Sequence, residues 1–119
     1  MIKSVKQVPK NTISKNLFDR LTKHQQERHD RFALADALGC GTVYDAFICD
    51  TGHENGLENH IITDTGLIYI QNNQSKKLIT VLVARPGQIR RYYEKLDLVP
   101  PQELVDIARE HQLAGYNHK

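Results

Sequence analysis

His24 and Arg28 stand four residues apart in a stretch whose apolar residues recur at helical spacing, so they share one helix face, one turn above the other. The stripe runs through positions 17, 21, 24, 28, 32, 35 and 38. Leu17, Leu21, Phe32, Ala35 and Leu38 are apolar; the imidazole and the guanidinium stand where core residues belong. Polar groups placed there need partners. Either they pair with buried acids, or that part of the stripe lines a cleft against a sheet; the alternative is a structural histidine and an arginine that buries only its stem. The stripe predicts that both side chains face the sheet, at least partly buried. His60 is the second candidate. It falls among strand formers on the face of Ile62, and Glu58, two residues earlier, shares that face and is placed to orient or charge the ring.

Thr80 interrupts an apolar strand, and its hydroxyl serves chemistry only if it points into the same cleft as His24. Arg85, Arg90 and Arg91 follow, next to Tyr92 and Tyr93. Cations for phosphate beside rings for splayed bases are what RNA binding uses, and Arg31, off the stripe, is placed to reach a polyanion. The competing assignment makes the tyrosines helix core and the arginines solvated. His53, Glu54, Glu58 and His60 cluster without the spacing of a helical zinc motif, so no metal is expected. Cys40 and Cys49 are too few for a disulfide scaffold and read as reduced, partly buried thiols. The phosphate-loop, GxGxxG and HExxH patterns do not occur, which leaves nucleotide hydrolysis and zinc proteolysis without support, and no cofactor is expected.

These residues need a scaffold, and the periodicity supplies one. A helix is expected over Leu17–Leu38, stopped by Gly39 and Gly41. Asn16 with Asp19 offers one cap; Thr22 with Gln25 offers a capping box, which predicts a break or kink near Thr22. Strands are expected at 42–49, 58–63, 67–71 and 78–84, joined by short turns, hence an antiparallel meander. The last strand is apolar on both faces and reads as central. A short helix follows Pro86-Gly87, and a final one spans Gln102–Leu113 beyond Pro100-Pro101. The predicted class is α+β: about four antiparallel strands, a long N-terminal helix packed on them, and two C-terminal helices.

At 119 residues, 39% of them hydrophobic and 25% charged, the chain has one domain's worth of core, which excludes a long disordered or collagen-like protein. Residues 1–12 read as an arm or an edge strand, and 100–119 as the C-terminal helix and tail. The chain lacks a run of about 18 apolar residues and an apolar leader after Met1-Ile2-Lys3-Ser4, so no membrane partner and a cytoplasmic location are expected. The net charge of +2 hides a segregation. Residues 1–35 hold eight Lys and Arg against three acids, 36–66 hold six acids and no Lys or Arg, and 67–119 hold eight against five. The basic start and the Arg85–Lys95 cluster are expected to form one positive face opposite the acidic stretch, with RNA binding that weakens steeply with salt.

A helix carrying His24-x-x-x-Arg28, a meander, and Lys77-Leu78-Ile79-Thr80 on the last strand resemble the superfamily of small metal-independent ribonucleases that includes barnase, RelE-type toxins, EndoU and certain colicin nuclease domains, with phage-borne and mobile-element branches closest in pattern. The likeness covers roughly residues 20–93. It implies a toxin-like endoribonuclease with His24 as general acid or base, Arg28 as phosphate ligand and Thr80 as the hydroxyl of the last strand. His60 and Arg85 match no family position. In such chemistry the 2′-OH of RNA attacks, a base takes its proton, a cation holds the charge on phosphorus, and an acid protonates the leaving 5′-oxygen. His24 and His60 would divide the acid and base roles, and Arg28 and Arg85 would supply fixed charge. The expected partners are RNA and a protein, such as an antitoxin. The alternative is a phage or mobile-element interaction or inhibitor module without catalysis, its acidic segment mimicking nucleic acid.

Overall fold

The computed structural model of the chain describes residues 2–9, 12–52 and 56–116. The elements run β1 (Ser4–Val8), α1 (Lys15–Glu27), α2 (His29–Leu38), β2 (Val43–Asp50), β3 (Leu57–Thr63), β4 (Leu67–Asn72), β5 (Leu78–Val83), α3 (Pro86–Glu94) and α4 (Gln102–Leu113). The strands form one antiparallel sheet in the order β1-β2-β3-β4-β5, so the class is α+β with a meander, as predicted. Among the described residues there are five strands rather than four, because the segment read as an arm or an edge strand pairs with β2 from Ser4↔Asp50 to Val8↔Ala46.

Side-chain alternation divides the sheet into two buried faces. Phe47, Cys49, Ile62, Ile68 and Ile70 meet Ile89, Tyr92 and Tyr93 of α3 and Leu104, Val105 and Ala108 of α4. On the other face Ala46, Ile61, Leu67, Tyr69 and Val81 meet Phe18 and Leu21 of α1 and Phe32 and Ala35 of α2. Helices thus cover both sides, and this corrects the placement of the last strand. β5 is apolar on both faces because each face has a helical cover, yet it is the edge of the sheet, not its centre. Facial hydrophobicity reports what lies above and below a strand, not beside it.

The long N-terminal helix is two helices. The chain leaves helical geometry at Arg28 (φ −114°, ψ 40°), not near Thr22, whose hydroxyl donates to the Asp19 carbonyl within α1 at 2.9 Å. The N-cap of α1 is Ser14, not Asn16 or Thr22; its Oγ accepts from the Leu17 N–H at 3.1 Å.

The β3–β4 turn depends on Gly66, at φ +84°. A Cβ there would lie 2.8 Å from both the His111 ring and the Ile107 side chain of α4. Gly66→Ala combines left-handed strain with a clash and is expected to destabilise the fold by about 1–3 kcal/mol. Urea melts of the two proteins check this, and equal midpoints would remove the argument.

Candidate functional site

The structure does not bring the four proposed catalytic side chains together. His24 and Arg28 are exposed, contrary to the expected burial against the sheet. The inward face of α1 is Phe18, Leu21 and Gln25, because the helix ends at Glu27 and the stripe drawn through 24 and 28 does not continue into α2. Gln25, only 2% exposed, stands where His24 was expected. It donates to Asp36 Oδ1 at 2.6 Å and accepts from the Tyr69 hydroxyl, tying α1 to α2 and β4.

His60 is buried on the opposite side of the sheet, toward α3. Its Nε2 lies 2.9 Å from Glu58 Oε1 and its Nδ1 2.6 Å from the Tyr92 hydroxyl. The sequence-level pairing with Glu58 is therefore present. Burial holds the ring's pKa below its usual 6.5, and the hydrogen bond and negative charge of Glu58 oppose that shift. The neutral ring then donates from Nε2 to Glu58 and accepts the Tyr92 proton at Nδ1. Both nitrogens are engaged within the protein, and the sheet separates this imidazole from that of His24.

Tyr92 and Tyr93 are core residues, which corrects their assignment to RNA binding. The Phe47 ring stacks on Tyr92 at 5.1 Å and meets Tyr93 edge-on at 5.2 Å, and the Tyr93 hydroxyl donates to Asp45 Oδ2 at 2.7 Å. Burial raises the pKa of both phenols. Arg90 is half-buried and Arg91 exposed on α3.

Three predicted residues, Thr80 of the proposed catalytic set among them, do converge. Arg31 from α2, Thr80 from β5 and Arg85 from the β5–α3 junction line a groove of about 730 Å³ along the outer edge of β5. Gln88, Tyr116 and the carboxylate of Asp30 add to its polar lining, and the half-exposed Leu34 lies with Asp30 on the α2 side. The Arg85 backbone N–H donates to Gln88 Oε1 at 2.8 Å, which fixes the start of α3 beside the groove. Sequence reading missed Gln88 and Tyr116, because the groove is assembled from segments dozens of residues apart.

The charge pattern also resolves differently from expectation. β1, with Lys6, and the Arg85 end of β5 lie at opposite edges of the sheet, on the order of 19 Å apart at about 4.8 Å per strand, so the lysines of β1 do not share a face with Arg85, whereas Arg31 of the basic start lines one groove with it. The acidic stretch is largely used in folding. Asp36 accepts from Gln25, Asp45 from Gln7 and Tyr93, Asp50 from the Gly52 N–H, and Asp64 from the Thr42 N–H, while Glu58 pairs with His60.

His53 and Glu54 lie outside the described residues. Among the described residues no group of three or more His, Cys, Asp or Glu is arranged to hold a metal ion. Cys40 is half-buried and Cys49 buried, both as free thiols, and burial pushes the Cys49 thiol up to about 12. No described helix is long and apolar enough to cross a membrane. Comparison of the chain with protein-family models, with curated proteins and with solved structures gives no match.

Proposed function

We propose that the protein binds single-stranded RNA along the groove beside β5. The observation that carries this reading is the convergence of Arg31, Arg85 and Thr80 in one groove with Tyr116. Guanidiniums grip phosphate oxygens through paired N–H donors, and the phenol ring offers a face on which a base can stack. The Thr80 hydroxyl and the Gln88 amide supply partners for a 2′-OH, the group that distinguishes RNA from DNA. The reading is one of binding without cutting. Cleavage would need a proton donor and a proton acceptor at one phosphate, and the imidazoles of His24 and His60 lie on opposite sides of the sheet.

Fluorescence anisotropy with a labelled single-stranded RNA tests it. Arg31→Ala and Arg85→Ala are each expected to weaken binding roughly tenfold, the loss of about one charge-assisted hydrogen bond. Each should also reduce the slope of log affinity against log salt by about 0.7, one phosphate contact on a single strand. Arg91→Ala, outside the groove, should change affinity less than about twofold. Binding indifferent to salt, or an Arg91→Ala loss as large as that of Arg31→Ala, would place any RNA elsewhere.

A further inference from the structure

We infer that the groove also accepts an extended, acid-flanked segment of a partner protein as an added strand on β5, and that this strand excludes RNA. The exclusion rests on the RNA reading; the strand addition does not.

The two edges of the sheet differ in kind. β1 carries Lys6, with Lys3 just before it, and lysines on an edge oppose further pairing. β5 reads Leu-Ile-Thr-Val-Leu-Val, without charge or proline. Its ladder with β4 runs Leu67↔Val83, Ile68↔Leu82, Tyr69↔Val81 and Ile70↔Thr80, and the Ala84 N–H donates to the Gly66 carbonyl at 2.9 Å. That bond makes 66 and 84 a hydrogen-bonded pair. Alternation then gives 68 with 82 and 70 with 80 as the next bonded pairs. The backbone N–H and C=O of Val81 and Val83 therefore point away from β4, along the groove. Among the described residues no strand lies beyond them. Ile79 is the extra residue where the register shifts between Ile70 and Gln71, so the regular edge is short and begins at Thr80.

Charge selects the occupant. The uncharged strand is bracketed by Lys76 and Lys77 before it and Arg85 after it, and Arg31 stands across the groove beside Asp30, so cations outnumber the single carboxylate around the edge. A second copy of this chain, pairing antiparallel about Val81, would bring the Lys76–Lys77 end of each strand beside Arg85 of the other, and like charges across a ladder are destabilising. A segment with small β-branched residues at its centre and Asp or Glu at both ends satisfies the edge backbone and the flanking cations together.

The test uses the full chain and a labelled nonapeptide, Asp-Glu-Val-Thr-Val-Thr-Val-Glu-Asp. Saturable binding is expected by anisotropy, at least tenfold weaker when lysines replace the four acids. Successive amides of a strand face opposite edges, so N-methylation of the valine amides or of the threonine amides should cost at least tenfold for one set and less than threefold for the other. Unlabelled peptide should release bound RNA. Equal binding by both methylated peptides, or by the lysine-flanked one, overturns the strand addition. So does a chain that sediments as a dimer and takes up no peptide, which would make the occupant a second copy. Peptide binding that leaves RNA bound overturns the exclusion alone. Peptide binding by a chain that never binds RNA overturns the RNA reading and keeps the added strand.

Discussion

Gln25→Ala is expected to destabilise the protein by about 2–4 kcal/mol, whereas His24→Ala, one residue away, should stay within about 0.5 kcal/mol. The Gln25 amide joins three elements: it donates to Asp36 on α2 and accepts from Tyr69 on β4 while sitting on α1. Burial raises the Tyr69 pKa, so the phenol keeps its proton and needs an acceptor. Truncation strands that buried hydroxyl, at a cost of about 1–3 kcal/mol, and also takes one donor from the half-buried Asp36 and unties α1 from α2. His24 is exposed and carries no such burden. Denaturant melts that shift in midpoint at constant slope give the comparison. Pairing Gln25→Leu with Tyr69→Phe should recover part of the loss, since removing both partners leaves less unsatisfied than removing one. A His24→Ala cost equal to that of Gln25→Ala would restore the stripe through 24 and 28.

That one-residue difference shows where sequence reading stops. Strands β2 to β5 and helix α4 lie within a residue or two of expectation, because Gly66, Pro86-Gly87 and Pro100-Pro101 break the chain chemically and the periodicity changes between them. The phase of the first helix is different. Its breaks fall at Arg28 and, inside α2, at Phe32 (φ −113°, ψ 25°), neither Gly nor Pro, so no residue type announces them, and seven positions fit one continuous stripe that the broken helices do not share. The side pairing of Glu58 and His60 was legible from strand alternation alone. Tyr92 as the third member was not, because 32 residues and the packing of α3 on the sheet intervene. The edge position of β5 was equally hidden, and with it the groove. Alternation tells which face a side chain takes, while neighbour order depends on where α1 and α2 return the chain to the sheet.

His60→Ala is expected to cost about 3–5 kcal/mol, the range for breaking a buried polar pair and leaving one partner behind. The side chains of His60 and Glu58 are 6% and 11% exposed, so the lost ring leaves a nearly dry carboxylate and an unpaired Tyr92 hydroxyl. The pH dependence identifies the group responsible. Burial lowers the folded-state pKa of His60 below the usual 6.5, so as pH falls past that value the unfolded chain takes up a proton that the folded chain refuses. Proton uptake favours the unfolded state. The contribution of His60 is thus fully present above about pH 6.5 and declines below it, by at most about 1.4 kcal/mol per pH unit, until the folded ring also protonates. Glu58→Gln should keep the acceptor for the Nε2 proton and cost less than about 1.5 kcal/mol at pH 7.5. It also removes the charge that holds the ring's pKa up, so its acid-sensitive window should extend to lower pH than in the wild type. Urea melts at half-unit steps from pH 5 to 8 measure all three proteins, and His60→Gln provides a second variant if the alanine protein does not fold. A slope below pH 6.5 as steep in the His60 variants as in the wild type would assign the acid sensitivity to other groups.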